Sequence, residues 1–194
     1  MPRVIRKEIR IVGWDDMRHT RRTKTVLLVG AVFRGGSFLD GLLSVRIKKD
    51  GLDSTDKIAQ AILKSRHYDQ LSVIMLDGIT FAGFNIVDIH RLNKLTRMPV
   101  IAIQRKRPDM PEFLGAIKKI FKDWRKRIAI VKRTGEVLEF KRNGKLFYYQ
   151  FAGIEREKCE KILEISTVRG NVPEPVRVAH LIAGGLSGES KGRA

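Results

Sequence analysis

Two acidic positions in the chain stand where a sheet would gather them. Asp15, with Asp16 beside it, closes the alternating run that starts at Glu8, and Asp77 closes the apolar run Ser72-Val73-Ile74-Met75-Leu76. In open α/β sheets ligand sites collect beyond the carboxyl ends of the strands. Two carboxylates meeting there can share a hard divalent cation, Mg2+ or Mn2+. Such an ion can supply a hydroxide nucleophile and steady the leaving oxygen in phosphodiester cleavage. Asp77-Gly78 is also a common turn dipeptide, so position alone leaves a turn role open. Farther along, Val172-Pro173-Glu174-Pro175-Val176-Arg177-Val178-Ala179-His180 opens a helix, with Pro175 suited to its first turn. Arg177 and His180, three apart, share one helical face, so a cation and an imidazole there could approach a phosphate.

The charge balance indicates the partner. Of 194 residues, 39 are Lys or Arg and 21 are Asp or Glu, a net charge of +18. An excess this large favours polyanions. The basic residues also cluster: Arg3, Arg6, Lys7, Arg10, Arg18, Arg21, Arg22 and Lys24, then Arg105, Lys106 and Arg107, then Lys118 to Arg127. Acids are too few to pair these as ion networks, so the clusters point to nucleic acid, DNA or RNA. The single cysteine, Cys159, excludes an internal disulfide and zinc sites built on cysteine pairs. It fits a reducing, cytoplasmic setting. No apolar run approaches the roughly 20 residues needed to span a bilayer, and the first ten residues lack the apolar stretch of a secretory signal. A membrane partner is therefore not expected. Gly35-Gly36 and Gly83 could lie near a phosphate, but no P-loop or dinucleotide fingerprint accompanies them.

The elements that must position these residues can be read from periodicity. With no internal repeat or long linker, the chain reads as one domain over 1–194. Glu8–Trp14, Thr25–Phe33 and Leu39–Ile47, with a turn at Arg34-Gly35-Gly36, form an antiparallel three-strand meander. Asp53 or Ser54 caps a helix whose apolar stripe includes Ile58, Ala61 and Ile62. Leu71–Leu76 reads as a strand, Asn85–Leu95 as a helix, Val100–Ile103 as a strand and Glu112–Phe121 as a helix. Ile128–Val131, Val137–Phe140 and Leu146–Phe151 read as strands, and Glu155–Ser166 and Pro175–Leu186 as closing helices. The fold class is α/β, a mixed sheet with helices on both faces.

Several segments resemble endonuclease V, a member of the ribonuclease H-like superfamily. These are GWDD at 13–16, FLDGLLSVRI at 38–47, MLDGITFAGF at 75–84, MPVIAIQR at 98–105 and VPEPVRVAH at 172–180. FRGGSFLDGLLSVRI, SRHYDQLSVIMLDGITFAGFNIVDI and TVRGNVPEPVRVAHLIA resemble more closely an archaeal family, domain of unknown function ninety-nine, which is distantly related to endonuclease V. The resemblance implies a ribonuclease H-like fold and a Mg2+-dependent or Mn2+-dependent phosphodiester nuclease. Asp15 and Asp77 would hold the metal, with Asp16 or Asp53 as a third carboxylate. Arg105 and His180 would complete the catalytic group. Phe38, Arg46, Arg105, Lys106, Arg107 and Arg177 would contact nucleic acid, Phe38 by stacking on a base.

The departures bear on activity. The family's metal-binding glutamate falls on Ile47, which cannot bind a cation; Asp50 and Asp53 are the nearest carboxylates. The wedge loop's tyrosine and proline are Phe38 and Asp40. The family's histidine after the second aspartate has no counterpart in GITFAGF. These losses keep open a second expectation, a nucleic-acid-binding module that retains the fold without cleavage.

Overall fold

A ten-residue apolar run and an eleven-residue alternating one, joined through Gly35-Gly36, pair as a long antiparallel ribbon. The computed structural model describes residues 5–142 and 144–189, so Arg3 of the first basic cluster lies outside the described residues. Strands β1 (Arg10–Asp16), β2 (Thr25–Arg34) and β3 (Phe38–Lys48) form the expected meander. Helix α1 (Ser54–Leu63) follows, then β4 (Val73–Asp77) and a small hairpin, β5 (Thr80–Phe81) and β6 (Asn85–Ile86). After α2 (Ile89–Thr96) come β7 (Val100–Gln104), α3 (Met110–Ile120), α4 (Trp124–Arg133), β8 (Leu138–Arg142) and β9 (Lys145–Ala152). Helices α5 (Arg156–Ser166) and α6 (Glu174–Gly185) close the chain. Among the described residues the main sheet has seven strands in the order β3-β2-β1-β4-β7-β9-β8. The β1–β4 and β4–β7 pairs are parallel and the others antiparallel.

Period-two alternation sorts the core into two layers. Val12, Trp14, Val26, Leu28, Ile47, Leu76 and Ala102 face α1 to α4. Ile11, Val73, Met75, Ile101 and Ile103 face α5 and α6, where Cys159, Ile162, Leu163 and Val176 meet them. Because β1, β4 and β7 are parallel, Asp15, Asp77 and Arg105 all finish at one rim.

Several boundaries differ from expectation, and three of the differences have a clear local reason. Ile128–Val131 is not a strand but the middle of α4: Ile128 and Val131 are the buried positions of a helical stripe that begins at Trp124. A short apolar run does not distinguish the two periods. Helix α2 starts at Ile89 rather than Asn85, because Asp88 caps it by accepting from Arg91 N at 3.0 Å while Asn85 lies in β6. Helix α3 starts two residues early, with Asp109 accepting from Glu112 N at 2.9 Å.

Arg127, 5% exposed, ties the upper loops to α4. Its guanidinium donates to the carbonyls of Gly51 (3.1 Å), Phe84 (2.8 Å) and Asp50 (2.9 Å), and to Asp123 at 2.8 Å. It also lies 3.9 Å from the centre of the Phe121 ring. Arg127→Met leaves three carbonyls without their donor and is expected to cost about 3 kcal/mol. In thermal unfolding that corresponds to a fall of roughly 6–12 °C for a chain of this size. Arg127→Lys should recover little, since one ammonium cannot replace a planar fork.

Candidate metal centre and the adjoining pocket

The site begins with a glycine. A Cβ at Gly13 would run into the backbone of Pro175 and Val176, so only glycine lets the first turn of α6 rest on β1. From that contact α6 runs beside the strand. His180 stands five residues beyond Pro175, about 7.5 Å of helix, and Asp15 two residues beyond Gly13, about 6.6 Å of strand. The two side chains therefore meet, with His180 Nδ1 2.6 Å from Asp15 Oδ2. Glu174 secures the start of the helix. Its Oε1 accepts from Arg169 N and Gly170 N, and its Oε2 accepts from Arg177 Nε at 2.8 Å.

Asp77, on the next parallel strand, completes the cluster. Its Oδ2 lies 3.8 Å from His180 Nδ1 and 3.3 Å from Arg105 Nη2. Asp15, Asp77 and His180 each present a ligand atom, all within 4.8 Å of one another. Burial pushes the Asp15 carboxyl up to about 6 against the bond from His180, with the Asp77 charge adding to the rise. Burial likewise raises Asp77, opposed by the Arg105 and His180 charges. The Asp15 bond raises His180 in turn. Two like-charged, buried carboxylates converging with an imidazole are a donor set that a hard divalent cation satisfies. The cluster opens on a cleft of about 470 Å³ that Asp16, Arg18 and His19 also line.

A second concavity starts one residue past Asp77. It holds about 450 Å³ between Gly78, Ile79, Phe84, Gln104, Met110 and Phe113. Alternation at the end of β7 sends Arg105 toward the metal cluster and Gln104 into this pocket. Sequence reasoning missed it, because its walls combine the loop after β4, Phe84, the end of β7 and the first turns of α3, and no single period links them.

A family model described as endonuclease dU matches residues 7–187. The chain belongs to that family. It is 48% identical over 194 residues to a UPF0215 protein of Methanothermobacter thermautotrophicus, covering 99% of this chain and 95% of the relative. A crystal structure of a protein of unknown function from Archaeoglobus fulgidus matches with TM-score 0.82 and 38% identity, over 92% of this chain and 98% of that one. Endonuclease V of Ciona intestinalis, solved with DNA containing an inosine followed by a ribo-adenosine, matches with TM-score 0.57 and 15% identity, over 88% and 82%. At that identity the likeness shows the fold alone, which is ribonuclease H-like. The resemblance to an archaeal family related to endonuclease V is thus shown.

The remaining site residues of this endonuclease dU family member fall as follows. Asp16 reaches the cleft, but its Oδ2 accepts from Ala82 N at 2.6 Å, and burial raises its carboxyl. Asp53 lies outside the cluster; its carboxylate accepts from Asn85 Nδ2 at 2.7 Å and from Lys48 N. Asp53 occupies the N-cap position of α1 without making the cap bond. Asp50 Oδ1 accepts from Phe84 N at 2.9 Å. Ile47 is buried in the layer of Trp14 and Val26, on the face of the sheet opposite Asp15 and Asp77.

The basic residues divide between the two rims. Lys106 and Arg107 are exposed on the loop after β7, and Arg46 is exposed on β3. Arg177 is taken up by Glu174. Phe38 is exposed beneath the Arg34 guanidinium. It pairs with Arg34, which pairs with Arg10, so it sits at the far rim, roughly 16 Å of strand from the level of Asp15. Asp40 there is clamped by Arg34 (2.9 Å) and Arg10 (3.0 Å), which hold its carboxyl down to about 2. These ion pairs brace the β2–β3 end of the ribbon.

The raised acids set a sign for metal affinity. Below about pH 6 Asp15 keeps its proton, and above it the carboxylate is ionised. A cation must displace that proton, and the His180 proton as well. Mn2+ affinity, followed by electron paramagnetic resonance, should rise by well over roughly tenfold between pH 5 and 6, because two protons are displaced, and continue upward to neutrality. A flat profile would show that these groups are not the ligands.

Proposed function

We propose that the chain is a divalent-metal-dependent endonuclease that hydrolyses a phosphodiester bond of DNA beside a deoxyuridine. The observation that carries this reading is the convergence of Asp15, Asp77 and His180 within 4.8 Å at the sheet rim. The family's description supplies the substrate class.

Asp15, Asp77 and His180 would hold the ion. Bound there, a divalent cation neutralises phosphate charge and eases deprotonation of water. The chain's own residues do the rest. Arg105, bonded to Asp77, places a fixed cation where a phosphate would enter, and Lys106 and Arg107 extend that charge along the rim. His180, held by Asp15 through Nδ1, would complete the donor set from the helix side. Asp15 orients that ring, and Asp16 fixes the hairpin beside the cleft through Ala82.

The test is cleavage of an oligonucleotide carrying a single dU, with Mg2+ or Mn2+ present. Asp77→Asn is expected to lower the rate on the order of 10³-fold. Its melting temperature should stay unchanged or rise, because burial penalises the ionised carboxylate it removes. Binding to the same DNA should weaken steeply with salt, with a log–log slope of about −0.9 per phosphate contacted. Salt-sensitive binding without cleavage of any substrate would establish the second reading, a nucleic-acid-binding module. The feature that favours that reading is Ile47, whose place in the core leaves two carboxylates at the centre among the described residues.

A further inference from the structure

The metal cluster makes no use of the pocket that starts at Gly78, nor of the buried amide chain behind it. Gln104 reaches into that pocket from the end of β7. Its Nε2 donates to Gln150 Oε1 at 3.3 Å. Gln150, 1% exposed, donates through its own Nε2 to Thr134 Oγ1 at 2.7 Å and to the Gly135 carbonyl at 2.9 Å. A carbonyl only accepts, so the Gln150 nitrogen must face Gly135 and its oxygen must face Gln104. Gln104 is thereby held in one orientation. Turning its amide over would set two carbonyl oxygens against each other in a buried place. The bond to Gln150 uses one N–H, which leaves Oε1 and the other N–H of Gln104 for a ligand.

The pocket has an aromatic wall against which a flat ring can stack. Phe84 and Phe113 stand 5.8 Å apart and nearly parallel on one wall, with Ile79 and Met110 adding apolar surface. Its volume of about 450 Å³ lies in the range of small-ligand sites. Gly78 is shared with the strand end that bears Asp77, so a nucleotide whose sugar and phosphate lay at the metal cluster would have its base directed here. Enzymes that act at a base draw it out of the stack to read it.

We infer that Gln104, locked by Gln150, is the specificity-determining residue that reads the edge created by deamination. The inference rests on the nuclease reading above. Uracil presents an N3–H donor beside the O4 acceptor, which complements Oε1 and N–H of the fixed amide. Cytosine presents the reverse, an N3 acceptor beside an amino donor. Against the locked amide cytosine sets acceptor on acceptor and donor on donor. A free glutamine would simply rotate to suit it. The relay through Gln150 and Gly135 forbids that rotation, so rejection of cytosine comes from the second residue rather than from the one in contact. Thymine shares the uracil edge, so its rejection must come from the 5-methyl group, which the amide does not read.

The inference is tested by equilibrium binding, in EDTA, of labelled single strands that differ only in one dU or dC. The wild type should prefer dU by roughly tenfold to a hundredfold. Gln104→Leu should erase the preference by weakening dU, and Gln104→Glu, acceptor-only, should weaken dU as well. Gln150→Met should act differently, leaving dU binding nearly unchanged while dC tightens toward it, a result that mere loss of structure would not produce. Because Gln150 is buried, the two Gln104 variants decide the matter if Gln150→Met does not fold. A wild type without dU preference, or a preference that survives Gln104→Leu, overturns the inference even when dU-containing DNA is cut. A Gln104-dependent preference in a protein that cuts nothing supports it and overturns the nuclease reading instead.

Discussion

The candidate centre depends on one close approach, the resting of α6 on β1 at Gly13. Without a side chain there, the helix lies against the strand at backbone distance, and its direction follows the strand closely enough to bring His180 over Asp15. Neither the helix nor the strand determines this alone. Glu174 adds the second constraint, because it gathers Arg169 N, Gly170 N and Arg177 around the first turn and so limits how far the helix can slide. An imidazole carried by a helix thus becomes a partner of two carboxylates carried by strands.

The electrostatics follow from that packing. Asp15 is 6% exposed yet faces Asp77 and an open cleft, so it gains little solvation and has a like charge for company. A folded protein meets such a cost by protonating the group, pairing it or binding a cation. Here each remedy is partly in place: a raised pKa, the bond from His180, and Arg105 beside Asp77. Taken singly, none neutralises both carboxylates once they ionise, and once His180 loses its proton only Arg105, among the described residues, opposes them. A core built for stability alone would have no use for this arrangement, as replacing such groups with apolar ones is often neutral or favourable. The arrangement is therefore better explained by a ligand than by folding.

Much of this could be read in the sequence, and the parts that could not share a physical character. The meander, the parallel strands and the closing helices follow from runs with a clear period. Asp15 and Asp77 were found because each ends such a run. His180 was visible as a residue of a helix face, but its bond to Asp15 was not, since it depends on the Gly13 contact 167 residues away in the chain. Ile128–Val131 misled because four apolar residues fit either period, and the decisive partner, Trp124, lies outside the run. Asp53 looked like a cap and a spare ligand, and its carboxylate is instead engaged by Asn85 from a hairpin too short to show a pattern. The pocket was invisible because loops, which carry no periodicity, position Ile79 and Phe84 against Met110 and Phe113 of α3.

Alternation along a strand also explains why Ile47 need not be a defect to be repaired. On β3, Leu43, Val45 and Ile47 pack with the layer that holds Trp14, while Ser44 and Arg46 point to the side of α6. A carboxylate at residue 47, in this register, would be buried among Val26, Leu28 and Trp14 rather than directed at Asp15. The absence of a third acid at the centre among the described residues is thus tied to the register of β3 against β2, and a metal centre here would be completed from the other direction, by the helix. His180 is the residue in that place. The same alternation divides the end of β7, sending Arg105 to the charged side and Gln104 to the apolar one. Phosphate chemistry and base reading can then occupy opposite faces of one rim, one residue apart, without competing for the same space.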